Sequence, residues 1–271
     1  MNAIGRTRLV VASAALLSLV LVSGAQPRSA GEPVANGKVA FVSDRDGSRE
    51  IYTMLLDGTK QTRITNVHLP NSTGSPASPT WSPDGKIAFS TYVGRWEIYS
   101  MEADGTGVTN LTQANGGDNF TPSWSPDGTK ILFRKAVENA SQIWVMDADG
   151  SDQTAVTTGR VSDFNPVWSP DGQQIAFDRV MHGNSDIWVM NADGSGQTDV
   201  TNDPRAELQP SWSPDGRIAF VRRTGGNSDI WTMNADGSDQ RQLTTDPSDD
   251  MRPAWSPEGQ YILFVTNRDR Q

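Results

Sequence analysis

Chemistry in this sequence would have to come from loop carboxylates and cations, because it contains only two histidines, His68 and His182, and no cysteine. Asp118, Asp163, Glu207 and Asp250 each stand three or four residues ahead of a Pro-x-Trp-Ser-Pro element. A second set, Arg95, Lys135, His182 and Arg223, follows the apolar strand after that element, with Arg45 at the same place in the first copy. Acids recurring at one position can ring a mouth and focus field on a cation. The four acids and four bases are therefore read as a binding surface for a cationic peptide or a calcium ion. Solvated loop charge accounts for the same residues without a ligand. Asp44-x-Asp46-Gly47-x-x-Glu50 lacks the length and third carboxylate of a calcium loop. Two isolated histidines do not make a zinc site, thiol chemistry is excluded, and no Gly-x-Ser-x-Gly elbow is present. Paired acids acting on glycans remain an option, but nothing selects a pair. No cofactor other than calcium is suggested.

The scaffold that carries these loops is repetitive. Pro-x-Trp-Ser-Pro-Asp/Glu-Gly occurs five times, at Trp81, Trp124, Trp168, Trp212 and Trp255, with spacings of 43 or 44 residues. That period is the length of one four-stranded propeller blade. Each copy leads into an apolar strand such as Ile131-Leu-Phe133 or Ile175-Ala-Phe177, and Val39-Ala-Phe41 is a further copy without the preceding element. A third strand alternates, as in Ile143-Trp-Val-Met146, and a short fourth ends in Thr, as in Gln242-Leu-Thr244. Four strands per period make an antiparallel blade.

Turn geometry explains the invariant residue types. In Ser-Pro-Asp-Gly, Pro presets φ, Asp caps its own backbone and Gly supplies a positive φ. A second Asp-Gly, as at Asp149-Gly150, suits a tight hairpin. Both turns fall at one end of an up-and-down blade. The variable loops, with the eight candidate residues, fall at the other, where binding surfaces on rigid scaffolds sit.

These repeats resemble the TolB-like propeller family over residues 38–267, through the Trp-Ser-Pro-Asp-Gly turn and the Ile-Ala-Phe strand that follows it. The resemblance implies an all-β propeller and, because TolB docks a peptidoglycan-associated lipoprotein on one propeller face, protein recognition in the cell envelope. TolB also carries an α/β domain ahead of its propeller, which is not evident here. TolB-like rings have six blades. Strand counting gives five first strands and six second strands, so six blades with an incomplete last one are preferred over a closed five-bladed ring. The strand from Tyr261 to Asn267 would then leave an open edge able to accept a partner strand.

Arg6 and Arg8 precede the apolar run Leu9–Val22 and the small residues Ser23, Gly24 and Ala25. That is the pattern of an export signal, with cleavage after Ala25 or Ala30. Residues 1–25 are read as signal, 26–37 as linker and 38–271 as propeller. The run is shorter than the roughly 20 residues that span a bilayer, so no stable membrane insertion is expected. A formal charge of −9 argues against nucleic acid as a partner. The expected protein is a periplasmic or secreted, non-catalytic scaffold for an envelope protein or peptide. A carbohydrate-binding or carbohydrate-active propeller is the alternative.

Overall fold

The computed structural model describes residues 38–65, 76–113 and 116–267 in full, and residues 8–12 and 16–21 by backbone course alone. The cleavage positions after Ala25 or Ala30, the linker and His68 lie outside the described residues.

Five four-stranded antiparallel blades form the ring. Blade 1 comprises Leu16–Leu21, Lys38–Ser43, Glu50–Leu55 and Thr62–Arg63; blade 2 comprises Ala77–Trp81, Ile87–Tyr92, Trp96–Met101 and Thr109–Asn110. Blade 3 runs through Asn119–Trp124, Lys130–Val137, Ala140–Asp147 and Thr154–Ala155. Blade 4 contains Ser162–Trp168, Gln174–Met181, Asn184–Asn191 and Thr198–Asp199, and blade 5 contains Glu207–Trp212, Arg217–Thr224, Asn227–Asn234 and Arg241–Gln242. The last two strands, Asp250–Trp255 and Tyr261–Thr266, form a three-stranded sheet with Arg8–Ala12, which runs parallel to Tyr261–Thr266.

Two expectations are corrected by this arrangement. The ring has five four-stranded blades rather than six with an unfinished last one. Leu16–Leu21 supplies the innermost strand of blade 1, and the closing pair takes a parallel neighbour, which an up-and-down blade does not contain. Tyr261–Thr266 is paired on both sides, so the open edge is filled. Unpaired edges attract a strand. Here both added strands come from the apolar segment that reads as an export signal.

Hydrogen bonds show why the signature needs its residues. The Ser125 hydroxyl donates to Asp127 at 2.6 Å and accepts from the Lys130 amide at 2.9 Å, and Ser169 repeats both bonds with Asp171 and Gln174. The Thr two residues past each fourth strand has a parallel role: Thr65, Thr112, Thr157, Thr201 and Thr244 accept the amides of Ile51, Ile98, Ile143, Ile187 and Ile230 at 2.8–3.0 Å. Ala148 donates to the carbonyl of Thr129 and Ala192 to that of Gln173, both at 2.9 Å, joining the two tight turns of a blade on one face.

The core lies between blades. Phe41, Phe89, Phe133, Phe177, Phe220 and Phe264 are fully buried. Ala40, Val42 and Ile51 of blade 1 pack on Trp81, Ile87 and Phe89 of blade 2, and the same pattern continues round the ring. Each such aromatic contributes roughly 1.5–3 kcal/mol by burial. First strands touch one another from blade to blade, whereas each fourth strand packs on its own third strand. The first strands therefore line the centre.

Candidate functional site

The acids singled out in the sequence turn inward. Asp163 and Glu207 are buried and held by arginines of the adjacent strand. Arg179 grips Asp163 with two bonds of 2.6 and 3.0 Å, and Arg222 reaches Glu207 at 2.7 Å. Each guanidinium also lies over two rings of its own blade: Phe177 and Trp188 for Arg179, Phe220 and Trp231 for Arg222. Burial pushes Glu207 up to about 7 against the opposing pull of Arg222, and one of its oxygens, Oε2, has no partner. Asp250 is buried opposite Thr266. Asp118 is partly exposed and accepts the Trp96 amide at 2.8 Å.

The predicted bases are scattered. Arg95 bonds Glu97 and donates to the Gln113 carbonyl at 2.6 Å. Lys135 is buried with its ammonium 4.4 Å from the Trp144 ring centre, and burial lowers its pKa. His182 and Arg223 are exposed, His182 in a hairpin turn at φ 52°. In the Asp44–Glu50 loop, Glu50 accepts Arg63 at 2.8 Å and Thr65 at 2.6 Å, while Asp46 accepts the Tyr52 hydroxyl. Charge reversal at Asp163, Glu207 or Asp250 would therefore probe folding before it probed binding.

A different set stands together on the innermost strands. Ser78, Thr121, Asn165, Gln209 and Arg252 occupy one equivalent position, immediately before the signature Pro, at φ values of 51, 47, 48, 56 and 56°. Each sits in a β-bulge where the register with the second strand shifts. Bulges re-aim side chains, and a left-handed residue carrying a Cβ costs about 1–2 kcal/mol that glycine would not. Glycine fills the tight turns of this protein yet none of these five positions. Polar side chains are thus held at a backbone cost on the innermost strands.

Bonds link this ring across blades. Asp178, buried on the second strand of blade 4, accepts Asn165 Nδ2 at 2.8 Å and the Gln209 amide of blade 5 at 3.0 Å. Gln209 Oε1 accepts the Arg252 amide at 2.8 Å. Burial raises Asp178 to about 6, against the lowering pull of its two donors. Arg134 holds the equivalent position in blade 3, with its guanidinium 3.9 Å from the Phe120 ring centre. The sequence signal was available: in every signature copy the residue before Pro is polar, while its type changes from copy to copy.

Antiparallel blades, signature turns and polar bulged residues on the innermost strands make this a β-propeller of tandem Trp-Ser-Pro-Asp/Glu-Gly repeats. The chain belongs to the TolB beta propeller domain family, whose model matches residues 32–162 and 135–271. It is similar to the Tol-Pal system protein TolB of Anaeromyxobacter dehalogenans, 39% identical over 164 residues that cover 55% of this chain and 36% of that protein. The protein of the same name from Desulfosudis oleivorans is 30% identical over 126 residues, covering 44% of this chain and 26% of its own length. The chain thus spans well under half of either relative. Among solved structures, putative TolB from Agrobacterium tumefaciens has a TM-score of 0.71 at 23% identity, covering 84% of this chain and 86% of that one. At that identity the likeness concerns the fold.

Proposed function

We propose that this chain is an exported, non-catalytic docking propeller of the cell envelope that retains its N-terminal apolar strands in the ring and holds a partner protein at the variable-loop mouth of its channel. The observation that carries the reading is the ring of Ser78, Thr121, Asn165, Gln209 and Arg252, in which polar side chains are kept where the backbone favours glycine. A rigid polar ring on innermost strands suits recognition, since its members need not be ordered on binding. The variable loops around it, including Arg95 and His182, would tune the partner, with Arg223 exposed near the end of the second strand of blade 5. The relatives' place in the Tol-Pal system supports an envelope partner of that kind.

The experiment is affinity capture from envelope extract with the wild type and with a Ser78→Gly, Thr121→Gly double variant. Glycine keeps the left-handed backbone and removes only the side chains, so the urea midpoint should hold or rise. Loss of the captured Tol-Pal component with an intact fold is the expected result. Equal capture by both forms would remove the ring from the interface.

A further inference from the structure

We infer, on the strength of the docking function proposed above, that Arg134 receives a carboxylate carried into the channel by an acidic segment of the docked partner. Arg134 faces Phe120 across the first and second strands of blade 3. Its guanidinium carbon lies 3.9 Å from the Phe120 ring centre and 5.2 Å from that of Phe164 in blade 4. Aromatic rings engage the face of a guanidinium and leave its hydrogen-bonding edge free.

The cations one position further along the second strands of blades 4 and 5 are differently placed. Arg179 and Arg222 are each closed by a buried carboxylate of their own blade. Their blade 3 counterpart is Lys135, which faces the uncharged Asn119, whereas Arg134 stands at the Asp178 position opposite Phe120. Arg134 forms no ion pair or hydrogen bond with any described residue, and its Nε is buried without an acceptor. Asp178 is committed to Asn165 and Gln209, and Asp118 to the Trp96 amide. Both acids favour the Arg134 charge at a distance, but burial outweighs them. A half-buried guanidinium left without a counter-ion destabilises a fold and strengthens a binding site. With the predicted acids turned inward, the unanswered charge beside the channel is positive, so the ligand has the opposite sign to the one the sequence suggests. A planar carboxylate can take two parallel bonds from the guanidinium edge.

The test is an NMR titration of the full chain, following the Arg134 Nε–Hε signal, with the capped peptide acetyl-Gly-Glu-Gly-amide. Acetyl-Gly-Gln-Gly-amide and inorganic phosphate serve as comparisons. A saturable shift with the Glu peptide, absent with Gln, is expected, and binding should weaken at least about tenfold in Arg134→Met. Equal responses to Glu and Gln, a response to phosphate as strong as to Glu, or undiminished binding by Arg134→Met would overturn the assignment. Urea unfolding of Arg134→Met checks its fold, and the wild-type comparison of Glu with Gln stands without it. If partner capture survives while the Glu peptide gives no response, the carboxylate assignment falls and the docking function stands. The reverse pattern separates the two in the other direction.

Discussion

Replacing Asp178 by asparagine should stabilise the protein at neutral pH and leave it almost unchanged in acid. The carboxyl is buried between blades 4 and 5, and its Oδ1 accepts both Asn165 Nδ2 and the Gln209 amide. Asparagine keeps that acceptor and cannot ionise. Burial raises the group from its ordinary 3.8 to about 6, with the nearby Asp163 charge adding to the rise. Because the folded state holds the proton more tightly than the unfolded chain, the contribution is fully present below pH 3.8 and is lost as pH climbs through about 6. The difference amounts to about 3 kcal/mol above pH 7, or about 6–12 °C in Tm for a propeller of this size. Urea unfolding of both forms at pH 4, 6 and 7.5 gives the measurement. Glu207 titrates in the same range, but it is common to both proteins and cancels in the difference. A variant that is no more stable at pH 7.5, or whose advantage does not change with pH, would refute the reasoning.

Further predictions concern the turns and the buried pairs. Gly58 and Gly237 close the same hairpin in blades 1 and 5, at φ 81 and 84°, but a Cβ at Gly58 meets nothing within 4 Å while one at Gly237 would lie 1.9 Å from the Val200 carbonyl. Gly58→Ala should cost about 1–2 kcal/mol from backbone strain alone, and Gly237→Ala clearly more; equal urea midpoints would show that blade contact does not constrain the turn. Asp163→Ala strands a buried Arg179 and should cost about 3–5 kcal/mol, whereas Asp239→Ala removes only the exposed bridges to Arg217 and Arg241 and should cost under about 1 kcal/mol. Thermal unfolding of the two variants side by side decides it, and similar losses would count against a structural role for the Asp163 pair.

The repeat, its turns and its buried strands were legible in the sequence because each depends on local geometry. Ser-Pro-Asp-Gly closes its own hydrogen bonds within five residues, as Ser125, Asp127 and Lys130 show. The alternating strands place Phe133 and Phe177 between blades by periodicity alone. The candidate acids were less legible, since a carboxylate near a Pro-x-Trp element reads alike whether it meets solvent or Arg179.

By itself, then, the sequence determined that the chain is a propeller of Trp-Ser-Pro-Asp/Glu-Gly repeats and which end of each blade carries its tight turns. Tertiary structure alone decided the number of four-stranded blades, the filling of the edge at Tyr261–Thr266 by Arg8–Ala12, and the inward turn of Asp163 and Glu207. It also decided the backbone at Ser78, Thr121, Asn165, Gln209 and Arg252. Each precedes a proline, which on local grounds favours extended conformation, yet all five are left-handed. Turns answer to their immediate neighbours, whereas the innermost strands answer to one another as the blades converge on the axis. That convergence, invisible to local propensity, places the polar ring and Arg134 beside the channel.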